Sequence, residues 1–191
     1  YYALAQGYFL QGNIELAENS LNNALDLGVR QEEVYSKLVE VQSRQGDVTE
    51  ALVNIKKAEE FGKEFSFTDL ESFAKIFIAR EEWSAVTEMF LKMNVLQPSN
   101  IDTYYNIALA YGKIGDKEAA IEWVTKILEL DPSRDIQVNE FINNIKQDGM
   151  LMLLDNGKSF FEKNLSNFGA RKKNANTSWL VYLAQTIWNV S

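Results

Sequence analysis

Apolar residues recur along this chain three and four positions apart, and glycine or proline cuts the runs at a regular interval. Tyr1, Leu4, Ala5 and Tyr8 would share one face of a helix. Gln11-Gly12-Asn13 breaks that run, because glycine readily takes the left-handed terminal conformation and asparagine can cap the next helix. Leu16, Ala17, Leu21, Ala24 and Leu25 then line a second helix. The same punctuation returns as Gly46-Asp47 and Gly115-Asp116. The exits from the second helices are Gly28-Val29, Gly62-Lys63, Gln97-Pro98-Ser99-Asn100 and Asp131-Pro132-Ser133. Each stretch therefore reads as helix, short turn, helix, short turn.

The interval itself is constant. Gly12, Gly46, Glu81, Gly115 and Gly149 succeed one another at steps of 34, 35, 34 and 34 residues. Ala17, Ala51, Val86 and Ala120 lie five residues after the first four, and Ala24, Ala58, Met93 and Ile127 seven residues further on. A period of this length, with small and large residues in this order, predicts stacked helix pairs. The small residues let two helices approach, and the large ones fill the groove between neighbouring pairs.

These residues resemble the tetratricopeptide repeat. The clearest unit, Ile101 to Arg134, carries Tyr104, Ile107, Ala108 and Tyr111, then Gly115, Ala120, Val124 and Ile127, and closes on Leu130-Asp131-Pro132. The unit before it has Leu70, Phe73, Ala74 and Phe77, with Glu81 in place of the glycine, then Trp83, Val86, Phe90 and Met93. Tyr35, Leu38, Val39, Gly46, Ala51, Ile55 and Ala58 mark another, and Tyr1, Leu4, Ala5, Tyr8, Gly12, Ala17, Leu21 and Ala24 the first. The resemblance implies an all-α fold, a right-handed α-α superhelix of antiparallel helix pairs. Four pairs are expected at about 1–30, 31–65, 66–100 and 101–134, together spanning 1–134. A degenerate fifth pair would occupy 135–168, and a polar linker with a C-terminal capping helix 169–191.

Tyr1, Tyr8, Tyr35, Phe73, Phe77, Tyr104 and Tyr111 fall on the face that packs between pairs and are expected in the core, with Trp83 inside its own hairpin. In this family the first helix of each pair lines the concave surface, where partner peptides usually lie. By frame that surface would comprise Tyr2, Gln6 and Phe9; Ser36, Glu40 and Ser43; Glu71, Lys75 and Ile78; Tyr105, Leu109 and Lys113; and Asn139, Asn143 and Lys146. One subfamily grips the terminal carboxylate of heat-shock chaperones through lysines, arginine and asparagines. Its positions hold Tyr2, Gln6, Thr68 and Ser72 here, so the cations that grip needs are missing.

Composition narrows the function classes. The 191 residues include no cysteine and no histidine. That excludes disulfides, Cys/His zinc sites and every Ser-His or Cys-His mechanism within the chain. No catalytic residue, cofactor or metal is expected. The net charge of −8 disfavours nucleic acid as a partner. Gly157-Lys158-Ser159 lacks the earlier glycine of a phosphate loop, since Met152 stands there. Glu32-Glu33, Glu59-Glu60 and Glu81-Glu82 read as solvated faces, and Arg171-Lys172-Lys173 as a solvated loop. The most apolar stretch, Trp179 to Val190, is too short to span a bilayer.

The leading expectation is a non-catalytic scaffold for a protein or peptide partner. The chain opens on Tyr1 inside a helix, so it reads as part of a longer protein. A second reading therefore makes it a soluble regulatory or substrate-handling tail of a bacterial membrane protein. Its repeat style is similar to the tails of O-antigen ligase or polymerase-like enzymes, on either face of the membrane. Self-association through the C-terminal helix, with Trp179, Leu183 and Trp188 exposed, is a third.

Overall fold

Turn chemistry sets the element boundaries. In the computed structural model, which describes residues 1–28 and 30–146, the helices are α1 (Tyr2–Leu10), α2 (Ile14–Asp26), α3 (Gln31–Gln45), α4 (Val48–Glu60), α5 (Phe67–Ile78), α6 (Trp83–Leu96), α7 (Ile101–Ile114), α8 (Lys117–Thr125), α9 (Ile127–Leu130) and α10 (Asp135–Lys146). A single 3-10 turn, Pro132–Arg134, precedes α10. No strand occurs among the described residues.

The turns inside the pairs share one hydrogen-bond signature. The amide a few places beyond each first helix donates to a carbonyl five residues back. The pairs are Asn13 to Tyr8 (2.9 Å), Asp47 to Gln42 (2.9 Å), Glu82 to Phe77 (3.0 Å) and Asp116 to Tyr111 (3.0 Å). This closure needs a left-handed residue between the two helices. Gly12, Gly46 and Gly115 supply it at φ +79°, +91° and +93°. Glu81 takes the same conformation at φ +59°, so the turn is kept without its glycine. Asp47 and Asp116 then cap the next helix, accepting from the amides of Glu50 (3.1 Å) and Ala119 (2.9 Å). Asn13 makes no such side-chain bond.

The chain divides into two compact units, Tyr1–Met89 and the remainder from Phe90. In the first, Ala5 and Phe9 of α1, Ala17, Leu21 and Ala24 of α2, and Val34, Leu38 and Val41 of α3 form a continuous buried cluster. The alanines at 5 and 17 are fully buried, which is why helix axes can come close there. Tyr35 stacks on Phe61 with centroids 5.5 Å apart, and Phe65 meets Phe73 edge-on at 5.6 Å. In the second unit, Ala108, Val124, Ile127 and Val138 tie α7, α8, α9 and α10 together. Tyr104 tilts against Trp123 at 5.7 Å and donates its hydroxyl to the Pro98 carbonyl at 2.8 Å.

Several expectations are corrected. Phe73 and Phe77 are buried, but Tyr1 is 60% exposed and Leu4 48%. Leu38, one period after Leu4, is buried against α1 and α2, and no described helix covers Leu4 in the same way. The helix expected after Asp116 is interrupted at Lys126, whose amide reaches back only weakly (3.3 Å). Its ammonium lies 4.0 Å from the Trp123 ring centre and pairs with Glu122 at 2.9 Å. The second helix of the fifth pair, the linker, the apolar segment 179–190 and the stretches around Gly157 and Arg171 lie outside the described residues.

Candidate functional site on the first helices

The residues expected on the inner surface come from α1, α3 and α5 in the first unit and from α7 and α10 in the second. Helical geometry explains why they keep company within each element: Tyr2, Gln6 and Phe9, like Glu71 and Lys75, are three or four positions apart.

In the first unit, Gln6 is exposed, and Tyr2, Ser36, Glu40, Glu71 and Lys75 are half-buried. Lys37 bonds Glu40 at 2.7 Å and Lys75 bonds Glu71 at 3.3 Å, so α3 and α5 each bear a local ion pair. Phe9 differs from the expectation. It is only 8% exposed, packed in the core cluster, and covered by two cations from α3. The Arg44 guanidinium carbon stands 4.0 Å from the ring centre and the Lys37 ammonium 5.1 Å. A phenyl side chain next to the packing position has no polar tip to keep it in water, so it folds inward. Ser43 and Ile78 are buried too, and the Ser43 hydroxyl has no hydrogen-bond partner.

Beneath this surface runs a polar network that sequence reasoning missed. Buried Asn54 donates to the Gln42 side chain at 2.7 Å, Gln42 donates to Glu18 at 3.3 Å, and Gln45 donates to the same carboxylate at 2.8 Å. It links α2, α3 and α4. Its signal was present in the frame, since Gln42 stands where Tyr8, Phe77 and Tyr111 stand in the other units.

In the second unit, Tyr105 and Leu109 are half-buried, whereas Asn139 and Asn143 are exposed. The Tyr105 ring meets Phe141 of α10 edge-on at 6.2 Å, and its hydroxyl is buried without a partner. Burial, opposed by Arg134 and helped by the nearby carboxylates Asp102, Glu140 and Asp131, pushes the Tyr105 phenol up to about 12. Burial also raises the Asp102 carboxyl, with Arg134 offsetting part of the effect. Asp131 behaves oppositely. The Ser133 hydroxyl at 2.6 Å and then Arg134 at 3.2 Å hold its carboxyl below the usual value. Among the described residues no cluster of three or more acidic side chains is arranged to hold a metal. No described helix is long and apolar enough to cross a membrane.

Residues 101–134 match the family model of the tetratricopeptide repeat. These are the residues of α7, the Gly115 turn, α8, α9 and the Asp131-Pro132 exit. The match spans one helix-pair unit of the chain. The chain's fold class is that of the solved structures it resembles. A crystal structure of MamA protein is 20% identical, covering 92% of this chain and 94% of that one at a TM-score of 0.55. A tetratricopeptide repeat protein from Parabacteroides merdae is 18% identical, covering 97% and 70% at 0.53. A second MamA structure is 17% identical, covering 99% and 95% at 0.50. At these identities the likeness shows the fold, an all-α helical-repeat solenoid. No curated protein sequence matches the chain.

Proposed function

We propose that this chain is a non-catalytic tetratricopeptide-repeat scaffold that holds a protein or peptide segment against the inner, concave side of its first helices. The observation that carries the reading is the division of labour along those helices. The aromatic and small positions are spent on packing, while the neighbouring positions keep polar groups at the surface: Gln6, Glu40, Glu71, Lys75, Asn139 and Asn143. Within each unit taken by itself, these hydrogen-bonding and charged groups, with half-buried Tyr2 in the first and half-buried Tyr105 and Leu109 in the second, suit an extended segment, whose backbone needs partners and whose side chains need shallow pockets. Phe9 supports a cationic surface rather than touching the partner.

A displayed peptide library selected on the chain tests this. Lys75→Glu reverses the charge beside Glu71, and Asn143→Arg adds one at an exposed position; thermal unfolding of each reports that the fold is kept. Selected peptides should lose affinity for at least one of the two variants. Peptides that bind both variants as tightly as the parent would remove the inner face as the site.

A further inference from the structure

The first unit is strongly acidic, with 16 acidic side chains against 8 basic ones between Tyr1 and Met89, an excess equal to that of the whole chain. Against that background, the C-terminal end of α3 gathers positive charge. Arg44 is exposed, yet its guanidinium is held on the Phe9 ring at 4.0 Å. Arg80, just beyond α5, donates from Nη2 to the Arg44 carbonyl at 3.1 Å. Its guanidinium lies against Gly46, where a Cβ would stand 3.0 Å from Nε and would push the side chain aside by a few tenths of an ångström. Lys37 joins them over Phe9, but it is already paired with Glu40.

Among the described residues, no carboxylate lies within ion-pair distance of Arg44 or Arg80; Lys57 and Lys63 share this, but Arg30, the remaining arginine of the unit, is paired with Glu33, as Lys37, Lys56 and Lys75 are with their own carboxylates. Stacking and the single carbonyl bond fix the two guanidinium groups and leave most of their N–H donors unused. An arginine ordered in advance loses little freedom when it meets an anion, and its planar fork matches a carboxylate. The negative end of the α3 dipole opposes an anion here, but that effect is confined to about the last turn and is screened in water, whereas two full charges attract it.

We infer that Arg44 and Arg80 form a carboxylate-reading patch, and that the partner segment carries acidic side chains where it crosses the first unit. This rests on the scaffold reading above and adds the chemistry of the partner. It is distinct from a grip on a chain terminus, because internal glutamates or aspartates satisfy it.

The test uses the full chain and a fluorescein-labelled, C-terminally amidated octaglutamate peptide, monitored by anisotropy at low salt. Arg44→Gln and Arg80→Gln should each weaken binding about tenfold, and Arg30→Gln, a salt-bridged surface arginine in a turn, should change it less than twofold. Thermal unfolding of each variant reports that the fold is intact. Undetectable binding of octaglutamate overturns the inference, as does an equal loss in Arg30→Gln, which would signify diffuse charge attraction. Tight binding of a phosphorylated peptide in place of octaglutamate overturns the carboxylate assignment. If octaglutamate fails while library peptides still lose affinity for Lys75→Glu, the inference falls and the scaffold reading stands.

Discussion

Replacing Glu81 by glycine should stabilise the protein, although it removes a side chain from a structured turn. Glu81 sits at φ +59°, in the slot that Gly12, Gly46 and Gly115 fill at +79° to +93°. A residue with a Cβ held in that region costs about 1–2 kcal/mol relative to glycine. Glycine gives back about 0.4–1 kcal/mol through its greater freedom in the unfolded chain. The Glu81 side chain is exposed and makes no hydrogen bond or ion pair among the described residues, so nothing else is lost. The net gain is about 0.5–1 kcal/mol, or roughly 1–4 °C in Tm for a chain of this size. Gly115→Ala is the mirror experiment. Its Cβ would meet nothing within 4 Å, so the φ of +93° is the whole cost, about 1 kcal/mol of destabilisation. Urea unfolding followed by far-ultraviolet circular dichroism measures both. A Glu81→Gly variant no more stable than the parent, beside a neutral Gly115→Ala, would refute the claim that these positions share a strained conformation.

The same contacts set other expectations. Asp47→Ala and Asp116→Ala should each cost about 0.5–2 kcal/mol in urea unfolding through the lost caps, whereas Asn13→Ala, which loses no cap bond, should cost less. Ala51→Leu and Ala120→Leu, both at fully buried positions, should cost about 1–3 kcal/mol by overpacking. Tyr105→Phe deletes a buried hydroxyl with no partner and should leave stability unchanged or raised; the parent's absorbance titration should also contain one tyrosine ionising near 12 that the variant lacks. Asp102 and Asp131 should respond to pH in opposite senses. The lowered Asp131 carboxyl contributes stability above its unfolded value of 3.8, and this is lost as pH falls through its folded value. The raised Asp102 carboxyl binds its proton more tightly when folded, so it costs stability as pH rises past 3.8. Asp102→Asn should therefore raise the melting temperature at pH 7 but not at pH 3, and Asp131→Asn should lower it only at neutral pH.

Much of the architecture was legible because the helix stops are chemical. Gly12, Gly46 and Gly115, with Asp47 and Asp116 after two of them, mark places where only certain backbones and caps fit. Glu81 was legible as a position but not as a conformation, because the turn's hydrogen bonds impose φ on whatever residue stands there. The break at Lys126 had no sequence signal; lysine is a good helix former, and its alternative partners, Trp123 and Glu122, appear only in three dimensions. The candidate surface was less legible than the core. Frame alone put Phe9, Ser43 and Ile78 beside Gln6 and Lys75, but neighbouring helices bury those three. Tyr1 and Leu4 failed in the other direction, since matching the packing pattern buries a side chain only where another helix lies against it.

The central claim, a scaffold that engages its partner along the first helix of each pair, is tested most directly by hydrogen exchange. The chain would be compared with and without a saturating peptide taken from the library selection. Exchange should slow in first helices, among them α3, α5, α7 and α10, with α2, α4 and α8 unchanged. Protection confined to α2, α4 and α8 would contradict the claim.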